Sequence, residues 1–218
     1  MAIKQRAISD EEKAERRESI LAAALELLAK HDYHDISIAS IARKAGVAKG
    51  TIFLYFRTKE ELFLQLQIRE YKSWFNDIND RVRGLKKISL DEFVEVLASS
   101  VEGHSRLIQL IPILHVVLER NIDYKTALDF KRFLLSEIQV TGGLIEQCLP
   151  FLREHDGARF LLDLQILMVG LIDASHPAPL VEQAIRKDGL EVLLVNFEEK
   201  LREMLTLILN GRKAIYKK

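Results

Sequence analysis

The sequence predicts an all-α chain of about nine helices, and three observations predict it. Apolar residues recur at three- and four-residue spacing in one segment after another, as they do along one face of a helix. Only 4 prolines and 10 glycines occur in 218 residues, mostly between the periodic runs rather than inside them. No segment alternates apolar and polar residues convincingly, as a half-buried strand would.

Ser9 with Glu12 forms a capping box, and Ile20, Ala24, Leu27 and Leu28 follow at helical spacing, so a first helix is expected over residues 10–30. The turn-tolerant run His31-Asp32-Tyr33-His34-Asp35 breaks it. Its histidine pair has a spacing that could ligate a metal, but no further His or Cys motif accompanies it. It reads as a solvated loop with no metal. Ser37 then caps a short helix with apolar face Ile38, Ile41, Ala42 and Ala45, which Gly46 ends in the left-handed conformation. A second short helix is expected over residues 49–56, with Ile41, Ile52, Leu54 and Phe56 spaced to face a core.

Thr58 and Glu61 make another capping box and open a long helix whose stripe is Leu64, Ile68, Tyr71, Phe75, Ile78 and Val82, up to Gly84. Further helices are expected over residues 90–110, 113–121, 124–152, 157–175 and 189–209. They are separated at Pro112, at 121–123, at 155–157 and at His176-Pro177-Ala178-Pro179. A bend is expected at Gly142-Gly143, since each glycine costs about 1 kcal/mol against alanine inside a helix.

Lysines plus arginines and aspartates plus glutamates both number 32, so no global field draws the chain to a polyanion and any basic patch must be local. The one cysteine, Cys148, lies in an apolar stretch and reads as a buried, quiet thiol. The charged N-terminal residues lack the apolar core of a signal peptide, and residues 160–172, the most apolar run, fall short of the ~20 that span a membrane. A cytoplasmic, nucleoid-associated setting without membrane contact is the expectation. Nucleophile elbow, phosphate loop, HExxH and zinc-type cysteine pairs are all missing, so a helical enzyme is disfavoured and no cofactor is expected.

The two short helices joined through Ala45-Gly46-Val47-Ala48 have helix-turn-helix spacing, in which small turn residues let the helices cross closely. Between Ile36 and Lys59 stand five cations, Arg43, Lys44, Lys49, Arg57 and Lys59, and no acid. At this chain's acid frequency about three or four carboxylates would be expected there, and their absence suits a face apposed to phosphates. A helical interaction module without DNA contact is the alternative, and it leaves that window to accident.

The run from Ile38 to Phe56, with Arg43-Lys44-Ala45-Gly46-Val47-Ala48-Lys49-Gly50-Thr51 at its centre and Thr58-Lys59-Glu60-Glu61-Leu62 after it, resembles the signature of the TetR family of DNA-binding regulators. The likeness spans about residues 15–62. It implies a three-helix DNA-binding head, residues 1–58, and a helical-bundle body for ligand binding and dimerisation, residues 59–218. By position, Ser37 and Lys59 would meet phosphates, while Ala48, Lys49, Gly50, Thr51, Phe53 and Tyr55 would lie on or beside the recognition helix and read base edges and groove walls. The family often has Ser at the position of Ala48 and Tyr at that of Phe53, so two hydroxyls worth about 1 kcal/mol each are missing. The operator therefore cannot be copied from those of relatives. Lys4 and Arg6 read as a frayed arm, with the minor groove as an alternative path.

The resemblance further implies a near-palindromic double-stranded operator, a small-molecule effector that releases the repressor, and a homodimer formed by the last two long helices, about residues 157–175 and 189–209. The effector pocket is expected to be partly apolar, with Trp74, His104, Gln109, His115, Phe133, Gln165, Met168 and Asp173 as candidate lining.

Overall fold

The computed structural model describes residues 10–216, with His115, Val116 and Tyr216 described by their backbone alone. Among the described residues there is no strand. The α-helices are α1 (Asp10–Leu28), α2 (Ile38–Lys44), α3 (Lys49–Ile52), α4 (Lys59–Val82), α5 (Leu90–Glu102), α6 (Ser105–Ile113), α7 (Tyr124–Cys148), α8 (Asp156–Ser175), α9 (Pro179–Lys187) and α10 (Phe197–Tyr216). Tight 3-10 turns lie at Tyr33–Asp35 and Glu191–Leu193, and a π-helical turn at Leu114–Leu118. The capping box at Ser9 and the Lys4/Arg6 arm fall outside the described residues.

Helix starts follow the caps. Thr58 Oγ1 accepts from the Glu61 amide at 3.0 Å, and Asp123 Oδ1 from the Thr126 amide at 2.7 Å, each satisfying an otherwise orphaned donor. Ser89 and Glu92 do so reciprocally at the head of α5. α4 is the axis of the molecule. It packs on α1 at one end and on α5, α6, α7 and the π-helical turn along its length, burying Leu62, Phe63, Leu66, Tyr71, Trp74, Phe75 and Ile78. α7 and α8 lie side by side, and α10 covers α5 and α8 with Leu201, Leu205 and Leu209.

Several elements depart from the sequence expectation. Residues 90–110 form two helices, because His104 leaves helical dihedrals and its Nδ1, 2.7 Å from the Ser100 carbonyl, replaces the next backbone donor. Pro112 does not separate helices but lies inside α6. It has no N–H for the preceding turn, and the ladder widens just beyond it, the Glu119 amide donating to the Leu114 carbonyl at 3.0 Å. Pro179 opens α9 where a break is expected, because proline suits the first helical position. The final helix begins at Phe197, not at residue 189, so Leu190 and Leu194 are not on its stripe.

α7 runs unbroken through Gly142-Gly143. Gly142 serves a close approach instead: a Cβ there would stand 2.6 Å from the Ala158 backbone nitrogen, and a Cβ on Gly157 would stand 2.2 Å from the Gly142 carbonyl oxygen. Cys148 is buried as expected, with its Sγ donating to the Ile145 carbonyl and burial pushing the thiol up to about 11. No described helix is long and apolar enough to cross a membrane.

Candidate nucleic-acid interface

Ile41 and Ala42 of α2, Ile52 of α3 and Phe56 are buried in the same core as Ile20, Leu21 and Ala24 of α1. This fixes α2 and α3 to their support. The turn between them needs Gly46, whose φ of +66° favours glycine, and the Val47 amide closes back on the Ala42 carbonyl at 3.0 Å. Ser37 and Ser40 cap α2 reciprocally, each side-chain oxygen accepting from the other's amide at 3.0 Å, and the Ser37 hydroxyl remains exposed.

The regular part of the second short helix is one turn, Lys49–Ile52, followed by a turn through Tyr55. Its outer surface carries Ala48, Lys49, Gly50 and Phe53, with Thr51 and Tyr55 half-buried beside them. Leu54 is not core as expected: it is 81% exposed, because the helix tightens after Ile52 and rotates the side chain outward. Two apolar side chains, Phe53 and Leu54, therefore face solvent next to Lys49 and Gly50.

The acid-free window is less free in space than in sequence. Lys44 pairs with Glu26 of α1 at 2.6 Å, which holds the Glu26 carboxyl below its ordinary range. Arg57 pairs with Asp123 at 2.6 Å and with Glu61 at 3.2 Å, and also donates to Thr126 Oγ1 at 3.0 Å. Lys59 points inward: its ammonium bonds the Tyr33 carbonyl and sits 3.7 Å from the centre of the Tyr33 ring, and burial lowers its pKa. Arg43 and Lys49 are exposed and make no ion pair among the described residues.

The fold and this surface have counterparts among known proteins. Residues 20–66 match the family model described as bacterial regulatory proteins, tetR family, and residues 68–215 match the tetracyclin repressor-like C-terminal domain. The chain belongs to the TetR family. Over 76 residues it is 37% identical to the fatty acid metabolism regulator protein of Bacillus subtilis, and over 83 residues 35% identical to the HTH-type transcriptional regulator BetI of Escherichia coli. Those matches cover 33% and 38% of this chain and 39% and 42% of the two relatives, so the chain spans about two-fifths of the curated relatives it matches.

Solved TetR-like structures share the fold over nearly the whole chain. A TetR-family regulator of Syntrophomonas wolfei superposes with a TM-score of 0.58 at 16% identity, over 94% of this chain and 97% of its own. The fatty acid degradation regulator FadR of Bacillus halodurans gives 0.54 at 18% identity, over 88% and 94%.

In this TetR-family body the expected effector residues are dispersed. Trp74 is buried with its Nε1 donating to Ser100 at 3.0 Å, and His104 is half-buried between the Ser100 carbonyl and Ser73. Gln109 is exposed and lines an open cleft of about 770 Å³ between α6 and the 31–35 loop. Gln165 lies in a groove of about 620 Å³ between α7 and α8, Phe133 is half-buried, Met168 is buried and Asp173 is exposed. The His115 side chain lies outside the described residues, but its backbone forms part of the π-helical turn. Sequence reasoning misses Gln67 and Tyr71 as a pair. Tyr71 is on the expected apolar stripe of α4, whereas Gln67, being polar, gives no sign of burial; both are buried.

Proposed function

We propose that this TetR-family protein is a homodimeric transcriptional repressor, not an enzyme, that grips a near-palindromic operator and is released from it by a small-molecule effector. The observation that carries the reading is the surface of α3 and its following turn. Ala48, Lys49, Gly50, Phe53 and Leu54 stand clear of the molecule while Ile41, Ile52 and Phe56 anchor the backbone beneath them. A short, rigidly seated helix with a cation and small residues on its outer face suits the major groove. In this reading Lys49, Thr51, Phe53 and Tyr55 meet bases and groove walls, and Ala48 and Gly50 let the backbone approach. Ser37 and Lys59 meet phosphates at the starts of α2 and α4, which requires the Lys59 ammonium to swing away from the Tyr33 carbonyl.

Dimerisation through α8 and α10 is supported by apolar side chains left uncovered on them, Leu162 at 48%, Ile166 at 72% and Leu207 at 58% exposure. In this reading the head ends and the body begins at residues 58/59, which the capping of α4 by Thr58 supports. Arg57, just before it, is held by Asp123 and Thr126 of the body, so the head's orientation is tied to α7.

The test is fluorescence anisotropy on DNA fragments selected by the purified protein, across a salt series. Affinity should fall steeply between about 50 and 200 mM salt. Lys49→Ala should weaken binding, and Thr51→Ala should change the preferred sequence. Binding that is absent at every salt concentration would sink the reading.

A further inference from the structure

The chain between α8 and α10 folds without a core of its own. From residue 173 to residue 196 no side chain is buried in the subunit, yet the span is built into α9 and the 3-10 turn Glu191–Leu193. Gly189, at φ +70°, closes α9 by letting the Leu190 amide reach back to the Ile185 carbonyl at 2.9 Å. α9 has two faces. Glu182 and Arg186 pair at 2.8 Å on one, while Leu180, Val181, Ala184 and Ile185 recur at helical spacing on the other. An isolated helix shorter than about 12 residues is marginal in water, so 9 residues with nothing buried beneath them call for a surface from outside the subunit. The turn that follows extends the apolar face, with Val192 at 92% and Leu193 at 60% exposure.

A matching surface lies elsewhere on the subunit. The groove of about 620 Å³ between α7 and α8 is walled by Leu134, Leu135, Ile138, Leu162, Ile166 and Val169, and its cation, Lys131, is tied to Glu119 at 2.6 Å. No residue of 173–196 lines it, so the subunit's own arm leaves it open. A stable dimer buries about 800 Å² on each partner, drawn from about 20 residues or more. α8 and α10 leave only Leu162, Ile166, Leu207 and Ile215 as large uncovered apolar side chains, too few for such an area. The arm adds Leu180, Val181, Leu190, Val192 and Leu193, and it joins the end of α8 to the start of α10, so it is continuous with both helices of that contact.

We propose that residues 177–196 form an exchanged arm, which crosses from each subunit and seats Val192, Leu193 and the apolar face of α9 in the α7–α8 groove of a second copy. In an isologous pair every arm has a groove to enter and every groove receives an arm, so no apolar face is left over. The exchange brings α7 into the interface, beyond the contact of α8 with α10. The inference rests on the reading of the protein as a homodimer.

Val192→Lys and Leu135→Glu are made separately in the full chain. Both side chains are exposed in the subunit, at 92% and 55%, so neither change should disturb its fold. Sedimentation velocity gives the dimer affinity of each, and native mass spectrometry gives the composition of an equilibrated mixture of the two. A charge in an apolar seat must shed its hydration, so each variant alone should dimerise about tenfold or more weaker than the parent. In the mixture one seat brings the two introduced charges together and the other is that of the parent, so the heterodimer should rise from the statistical half to about nine-tenths of all dimers. The proposal is overturned if either variant dimerises like the parent, or if the mixture stays statistical, as it would were each arm to close on the groove of its own subunit. A parent that sediments as a monomer at every concentration would defeat the homodimer reading and the arm with it, whereas a dimeric parent with either of the other results defeats the arm alone.

Discussion

Adjacent glycines in α7 should respond to the same substitution with opposite signs. Gly142 faces α8, and a Cβ there would meet the Ala158 nitrogen at 2.6 Å and the Gly157 carbonyl carbon at 3.0 Å, both backbone atoms that no rotamer change can clear. The reciprocal position is tighter, with a Cβ on Gly157 falling 2.2 Å from the Gly142 oxygen, against the 3.4 Å at which ordinary contact begins. Relieving that overlap separates the helices by about 1 Å, an overpacking cost of about 2–3 kcal/mol. For a chain of this size each kcal/mol moves Tm by about 2–4 °C, so Gly157→Ala should lower it by about 4–12 °C. A Cβ on Gly143 would meet nothing within 4 Å, and Gly143→Ala should gain about 1 kcal/mol of helix propensity and raise Tm by about 2–4 °C. Circular-dichroism melts of Gly142→Ala, Gly143→Ala and Gly157→Ala decide it. If Gly142→Ala and Gly143→Ala moved Tm in the same direction, the close crossing of α7 and α8 would not be what holds these helices.

Leu54, at 81% exposure, should be replaceable by alanine within about 0.5 kcal/mol of stability. If it packs on thymine methyl groups, the parent should lose affinity when thymine in the selected DNA is replaced by uracil and Leu54→Ala should not; equal losses would remove Leu54 from the interface. Asp123 is held at about 2 rather than 3.8, first by the Thr126 amide and then by the Thr126 and Arg57 side chains. Because its folded-state value is depressed, its contribution is complete above about pH 4 and is lost as pH falls toward 2. The Tm gap between the parent and Asp123→Asn should therefore close over that window in low salt, and a gap constant from pH 6 to 2 would take the carboxylate's charge out of the account.

The sequence is most legible where one physical cause dominates. Caps at Ser37 and Thr58 and the inward spacing of Ile41, Ile52 and Phe56 locate the two short helices and α4, because capping and burial there agree. Local pattern fails where a single residue has two uses. Pro112 and Pro179 each fit either a break or a helical position, and tertiary packing decides between them. Leu54 has the composition of a core residue, but its orientation depends on where α3 stops. The charge window around Gly46 is visible, whereas the acids that reach it, Glu26 and Asp123, are remote in sequence or beyond its edge. Gln67 is unreadable for a related reason: nothing in a sequence tells whether a glutamine faces water or is enclosed.

The contact between Gly142 and Gly157 also has a mechanical meaning. Backbone rests on backbone there, with no long side chain to yield, so the crossing behaves as a fulcrum. The 19 residues from Gly142 back to Asp123 make an arm of about 28 Å at the usual helical rise. Tilting α7 by about 5° about that point swings its far end through about 2.4 Å, comparable with the 2.6 Å that separates Asp123 from Arg57. A rotation too small to disturb any buried side chain near the fulcrum is thus enough to part Asp123 from Arg57 and loosen the tie between α7 and the chain just after the two short helices.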